Sequence, residues 1–458
     1  MPRSAIIAGI AIIGVATSTL AAEPMRRPNI VFILADDLRA DALGCYGNSI
    51  VKTPHIDKLA VDGVRFKNAF VTTSICAVSR ASFLSGQYAR RHGIEDFATP
   101  FAAAARSRTY PALLRAAGYR TGFIGKFGVG RDVAPMAVEF DYWKGLPGQA
   151  GLFFDPKDPT KTHATARFGD QALEFLRGGK SDQPFCLSIS FNAPHARDGQ
   201  PREFPPDLRD EELYADVTIP TPRTANDRFH KLLPEFAREL EGRKRWARRF
   251  ATPESFQQIV KDYYRLITGL DREVGRIRQT LDELKLADNT LIVFTADNGF
   301  FLGERGMADK WLPYEESIRV PLIVFDPRSH PTRRGQTTDA MALNIDVAPT
   351  LLDLAGLPVP DTMQGRNLKP LLAGQPVAWR DDWFYEHHTF ADRIPQTEGV
   401  RTSRWMYFRW LDAKEPLEEL YDLANDPFEE RNLAGDAAHA ERLAAMRRRW
   451  EELREATR

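Results

Sequence analysis

The chain has 458 residues, 43% hydrophobic and 27% charged, a globular composition too long for one ordinary core, so two domains are expected. Lysine plus arginine balances aspartate plus glutamate at 62 each, which gives no global charge pointing to a nucleic-acid partner. Its cysteines, Cys45, Cys76 and Cys186, are odd in number and cannot all pair within one chain, which excludes a disulfide framework.

The N-terminus, "MPRSAIIAGIAIIGVATSTLAAEPM", carries Arg3, an apolar stretch from Ala5 to Val15 and small residues at Ala21 and Ala22, the pattern of a secretory signal peptide over 1–22. The stretch is shorter than the roughly 20 residues of a membrane helix. The mature protein is therefore expected to be exported to periplasm or medium, with no membrane span after cleavage.

Five apolar runs then read as buried strands: "NIVFILADD", "YRTGFIGKF", "FCLSISFNAPH", "TLIVFTADNG" and "RVPLIVFDP". Helical patterns separate several of them. The clearest places Ile267, Leu270, Val274, Ile277, Leu281 and Leu284 at steps of three and four before an Asp288-Asn289 break. Apolar strands alternating with amphipathic helices predict an α/β fold, a largely parallel sheet covered on both faces. Between the third strand and the long helix, "PREFPPDLRDEELYADVTIPTPRTANDRF" reads as a long loop or cap insertion bordering the substrate. The "RKRWARR" run at 243–249 reads as a solvated helix face.

In such sheets ligands bind outside the carboxyl ends of the strands, and there the runs stop on polar residues: Asp36-Asp37, Lys126, His195 and Asp297-Asn298. Each has an ordinary explanation alone, as a cap, a surface lysine or a turn. Together they converge on one edge of one sheet. The carboxylates of Asp36, Asp37 and Asp297 with the Asn298 amide oxygen form a hard-oxygen cluster, and calcium, which accepts many protein oxygens, fits it better than magnesium. Cys45 and Cys186 read as small buried hydrophobes. Cys76, in "TTSICAVSRASFLSG", would put soft sulfur beside calcium, a poor match, so it is not expected to stay a cysteine.

The stretches "NIVFILADDLRADALGCYGN", "TPHIDKLAVDGVRFKNAF", "CAVSRASFLSGQ", "GYRTGFIGKF", "TADNGFFLGERGMADKWLPYEESIRVPLIVFDP" and "ELYDLANDPFEERNLA" together resemble the sulfatase family of the alkaline phosphatase superfamily, among them arylsulfatases and iduronate-2-sulfatase-like carbohydrate sulfatases. The resemblance runs nearly end to end. It implies an alkaline phosphatase-like fold in which a large mixed, mostly parallel sheet is sandwiched by helices. It also implies that Cys76, first residue of a C-x-P-x-R signature, is converted by a formylglycine-generating maturation enzyme, and that the hydrated aldehyde attacks sulfur in line, giving a sulfated enzyme that then expels sulfate. By position, Asp36, Asp37, Asp297 and Asn298 hold one Ca2+, which also meets the sulfate and the modified Cys76. Arg80 steadies the formylglycine, Lys126 and Lys310 contact sulfate oxygens, and His195 is the general acid.

The chain departs from the family twice. Val78 stands at the signature's proline position, which predicts partial conversion, and Gly128 stands where relatives often carry a histidine two positions after the lysine, so the usual candidate base is missing. From about residue 375, "WFYEHHTF", "ADRIPQTEGVRTSRWMYFRW" and "AERLAAMRRRWEELREA" predict a smaller α+β subdomain, an antiparallel sheet with a packing helix, that completes one wall of the cleft. Glu386, His387, His388, Arg393 and Arg401 are its candidate substrate contacts. The expected organisation is a signal peptide at 1–22, a catalytic α/β domain at 23–374 and the subdomain at 375–458. The expected activity is calcium-dependent hydrolysis of a sulfate ester on a carbohydrate. The alternatives are a phosphodiesterase or phosphonate monoester hydrolase of the same superfamily and a non-catalytic calcium-dependent glycan-binding homologue.

Overall fold

A computed structural model describes residues 26–148, 153–180 and 182–458, so the expected signal peptide lies outside the described residues. An eight-stranded sheet is built from β1 (Asn29–Ala35), β2 (Val64–Phe66), β3 (Arg120–Lys126), β4 (Tyr142–Leu146), β5 (Phe185–Ser190), β6 (Thr290–Ala296), β7 (Leu322–Phe325) and β8 (Gln336–Thr338). Its spatial order is β8-β2-β7-β6-β1-β5-β3-β4. Neighbours are parallel except where β7 runs antiparallel to both β2 and β6. The five apolar runs are β1, β3, β5, β6 and β7. Every residue of β1, β5 and β6 is buried, as helices on both faces of a parallel sheet require.

Among the helices are α1 (Cys76–Ser85), α2 (Ala164–Arg177), α3 (Glu241–Arg249) and α4 (Pro253–Glu283). Thr252 caps α4, its side chain accepting from the Ser255 N–H at 3.2 Å while the Ser255 side chain returns the bond. Pro253 then opens the helix where no backbone donor is needed. Ile267, Leu270, Val274, Ile277 and Leu281 are all buried, so the 3.6-residue stripe faces the sheet. Leu284 ends that stripe differently from expectation: it is the C-cap and 37% exposed.

The basic run at 243–249 is solvated on one side only, where Lys244, Ala247 and Arg248 are exposed. It lies in α3, which turns Gly242, Arg245 and Arg249 inward at spacings of three and four; the Arg245 side chain is 14% exposed and that of Arg249 not at all. Buried guanidinium groups persist only when paired, and acidic partners surround both.

β9 (Asp382–His387), β10 (Thr397–Thr402), β11 (Trp405–Trp410) and β12 (Leu417–Asp422) form an antiparallel meander, with α5 (Ala440–Ala456) packed on it. Its apolar core is shared. Trp383, Tyr385, Met406 and Phe408 cluster with Phe70, Phe301, Leu312 and Tyr314 from the larger body. Among the described residues no helix is long and apolar enough to cross a membrane.

Candidate active site

β1 and β6 are adjacent parallel strands in register, Ala35 beside Ala296, so the residues after each emerge side by side. Asp36-Asp37 therefore meets Asp297-Asn298. The junction is closed by the Asp297 N–H donating to the Ala35 carbonyl at 3.1 Å and the Asp37 N–H donating to Asp297 Oδ1 at 3.0 Å. On the other side of β1, β5 and β3 end at Ser190 and Lys126. All of these residues are buried.

Asp37 adopts a left-handed φ of +63°, uncommon off glycine and sustained only by its surroundings. Lys310 Nζ donates to its two carboxylate oxygens at 2.5 and 2.7 Å, Asn298 Nδ2 donates to one of them at 2.6 Å, and the Tyr263 hydroxyl donates to its carbonyl at 2.8 Å. Cys76 opens α1 with Sγ 3.3 Å from Asp36 Oδ1 and 3.9 Å from Asp37 Oδ1. One turn on, Arg80 donates through Nε to Asp297 Oδ2 at 2.8 Å and through Nη1 to the Lys126 carbonyl at 2.6 Å and to Ser190 Oγ. Lys126 Nζ donates to Asp36 Oδ2 at 2.5 Å. His195 pairs its Nδ1 with the Ala196 carbonyl; a carbonyl only accepts, so Nδ1 carries the hydrogen and Nε2, 3.5 Å from Asp37 Oδ2, is the nitrogen that faces the cluster.

Crowding sets the protonation of these groups. Burial alone would raise the Asp36 carboxyl, but Lys126, with His195 and Arg80, outweighs it and holds Asp36 well below the usual carboxylate range. Burial pushes Asp37 up to about 6 against the pull of Lys310, and burial aided by the Asp36 charge pushes Asp297 up to about 7 against Arg80. Burial, reinforced by Asp36, also drives the Cys76 thiol well above its ordinary value, so the sulfur is a neutral thiol and a poor nucleophile. Burial lowers His195 to about 3.

The residues suit a hard cation. Asn298 spends its Nδ2 on Asp37 and the Gly299 carbonyl, while its buried Oδ1 has no hydrogen-bond partner, a demand that a cation would meet. Ligand atoms of Asp36, Asp37, Cys76 and His195 lie within 4.8 Å of one another. Once Asp297 and Asn298 are counted, oxygen donors outnumber the Cys76 sulfur and the His195 nitrogen, the two members ill matched to a hard cation.

Sequence reasoning missed several residues that hold this site. Ser190 and Tyr263 fix Arg80 and Asp37; Ser190 is the last residue of β5 and lies inside the third apolar run, ahead of the His195 at which that run stops. At 128 any side chain would crowd Arg80. Gly128 has φ +78°, and a Cβ there would lie 2.9 Å from Arg80 Cδ. Val78 is 1% exposed and packs with Ile75, Ala89, Trp311 and Ile394.

The candidate substrate contacts of the C-terminal sheet are mostly engaged elsewhere. Glu386 is buried and accepts from Arg90 Nε at 2.7 Å, and Arg401 donates through Nε to Glu315 at 2.7 Å; both act as struts between the C-terminal sheet and the larger body. His388 Nε2 lies 3.2 Å from Glu398. His387 is fully buried with neither ring nitrogen hydrogen-bonded, and burial lowers it to about 3. Arg393, 53% exposed and 3.4 Å from Glu241, is the one of these that reaches solvent freely.

Comparison with known proteins agrees with this geometry. The sulfatase family model matches residues 28–357, and the model for the C-terminal part of N-sulphoglucosamine sulphohydrolase matches residues 303–456. An N-acetylglucosamine-6-O-sulfatase of Bacteroides thetaiotaomicron is 30% identical over 94% of this chain and 87% of its own. Among solved structures, one in complex with its substrate D-glucosamine-2-N,6-O-disulfate superposes with a TM-score of 0.81 at 28% identity, covering 94% of this chain and 98% of the other. A phosphonate monoester hydrolase of Agrobacterium radiobacter superposes with a TM-score of 0.78 at 25% identity, covering 94% and 96%. With a family match across most of its length and that pole of carboxylates and cations at the ends of β1, β3 and β6, the chain belongs to the sulfatase family, hydrolases of sulfate esters.

Proposed function

We propose that this chain hydrolyses a sulfate ester of a carbohydrate, with Ca2+ held by Asp36, Asp37, Asp297 and Asn298 and an oxygen nucleophile derived from Cys76. The observation that carries the reading is the Cys76 thiol standing 3.3 Å from Asp36 inside a hard-oxygen cluster. A formylglycine at this position would supply a hydrated aldehyde, an oxygen nucleophile and hard donor in place of sulfur, and calcium would supply positive charge for the sulfate oxygens. The chain's own residues do the rest. Arg80, fixed at three acceptors, orients the first turn of α1. Lys126 and Lys310 bring ammonium groups to the sulfate, and His195, whose Nε2 carries no hydrogen in the neutral ring, would gain a proton there beside the negative charge of the sulfate and pass it to the departing alkoxide.

The sugar rests on the relatives, one named for N-acetylglucosamine-6-O-sulfate and one with a glucosamine disulfate bound. Residues 23–374 form the catalytic body in this reading and 375–458 one wall of the cleft. Cys76 is 1% exposed, so a maturation enzyme would act before the chain folds, and the signal-like N-terminus would carry the product to periplasm or medium. The test is mass spectrometry of the peptide spanning Cys76, alongside turnover of a panel of sulfated saccharides. Conversion to an aldehyde that reacts with hydrazides is expected, and activity is expected to scale with the converted fraction. Full-rate hydrolysis by protein whose Cys76 is entirely intact and alkylatable would falsify the mechanism. The similarity to a phosphonate monoester hydrolase favours a second reading, which parallel turnover of aryl sulfate and aryl phosphonate esters separates.

A further inference from the structure

Lys310 reaches Asp37 from a short segment whose backbone is unusual on both sides: Asp309 has φ +73° and Trp311 φ +85°, left-handed conformations that non-glycine residues hold only under external constraint. The constraint comes from α3. Asp309, fully buried, accepts from Arg249 Nη1 at 2.7 Å and lies 3.1 Å from Arg245 Nη1. The Arg245 guanidinium also sits 5.2 Å from the centre of the Trp311 ring. Across the cleft, the same two arginines grip the loop that carries His195. Arg249 donates to Asp198 at 2.5 Å and to Glu203, and Arg245 lies 3.0 Å from Asp198. Gly242 lets α3 approach, since a Cβ there would stand 2.7 Å from Met307 Cε.

We infer that Arg245 and Arg249 are positioning residues that clasp the His195 loop to the Lys310 segment and so set the spacing between proton donor and sulfate-binding ammonium. Neither arginine touches the reacting atoms. They act through Asp198, Glu203 and Asp309, and one planar guanidinium reaching three carboxylates is a task that an ammonium cannot perform. This inference rests on the roles proposed above for His195 and Lys310.

The test compares Arg249→Lys with Lys310→Ala, using inorganic sulfate as a competitive inhibitor, steady-state turnover of a sugar sulfate, and hydrogen exchange of peptides covering 195–204 and 307–312. Arg249→Lys should weaken sulfate inhibition by about tenfold and lower kcat by about ten- to a hundredfold, the cost of a small misplacement of reacting groups. Exchange should quicken in both loops together, and the Arg249→Lys penalty should shrink in a Lys310→Ala background. A folded Arg249→Lys protein with unchanged sulfate inhibition and unchanged exchange overturns the clasp. If Arg249→Lys does not fold, Arg245→Lys decides by the same readouts. Lys310→Ala with unaltered sulfate inhibition would instead remove Lys310 from the sulfate site, while exchange would still report the clasp by itself.

Discussion

The charge cluster at the ends of β1 and β6 and the cluster joining Arg90 to β9 and β10 are both buried, yet the carboxylates of the second are fully matched while the first leaves polar atoms at its centre without partners. In the second, Arg90 donates to Glu386 and Glu398, and Arg454 donates through Nε to the remaining Glu398 oxygen at 3.1 Å. Each carboxylate oxygen there has a donor. In the first, Asn298 Oδ1 and Arg80 Nη2 have no hydrogen-bond partner, Asp37 is left-handed, and a thiol faces carboxylates. A cluster that closes on itself stabilises the fold. One that stays open at its centre has kept capacity for something the chain does not supply.

The contrast can be broken by experiment. Asp297→Ala removes a carboxylate that meets both the Asp37 N–H and Arg80, and activity should fall by at least about 10²–10³-fold. Calcium binding by titration calorimetry should weaken with it, and a chelator should lower the Tm of the parent protein but not of the variant. Normal turnover by this variant would remove Asp297 from the site.

His195→Ala should lose on the order of 10²-fold on a sugar sulfate, whose alkoxide needs a proton to leave, and far less on nitrophenyl sulfate. Equal losses on both esters would make His195 a binding group instead. The closed cluster should respond the opposite way. Glu398→Gln leaves Arg90 and Arg454 short of a buried counter-charge and should cost about 3 kcal/mol of stability, with kcat nearly unchanged. A large kcat defect in a folded Glu398→Gln protein would mean that the two clusters are coupled.

The smallest effect is a pH dependence. The Glu398 carboxylate 3.2 Å from Nε2 raises His388 above its ordinary 6.5 against the effect of burial. A histidine raised in the folded state contributes stability that is fully present below the unfolded pKa and lost as pH rises through the folded one. Tm should therefore decline slightly above neutrality, by an amount worth no more than about 1 kcal/mol, and His388→Gln should abolish that step.

The sheet and the polar cluster at its edge were legible in the sequence because both are written in local pattern. Continuous apolar runs mark strands buried on two faces, and their polar terminations mark the open edge. What was not legible depends on the partner a charge finds across the fold. The 243–249 run carries Arg245 and Arg249 at a spacing of four, a hint of one shared face, but only tertiary packing brings Asp198, Glu203 and Asp309 against them. Glu386 and Arg401 looked available for substrate for the same reason, until Arg90 and Glu315 appeared beside them.

Gly128 also bears on what can be grafted into this site. Because a Cβ there would stand 2.9 Å from Arg80 Cδ, a histidine placed at 128 must displace the Arg80 side chain that now holds Asp297. The glycine and the arginine rotamer permit each other. Grafting a histidine at 128 from a relative should therefore loosen the Arg80 hold on Asp297 unless the neighbourhood of Arg80 is transplanted with it.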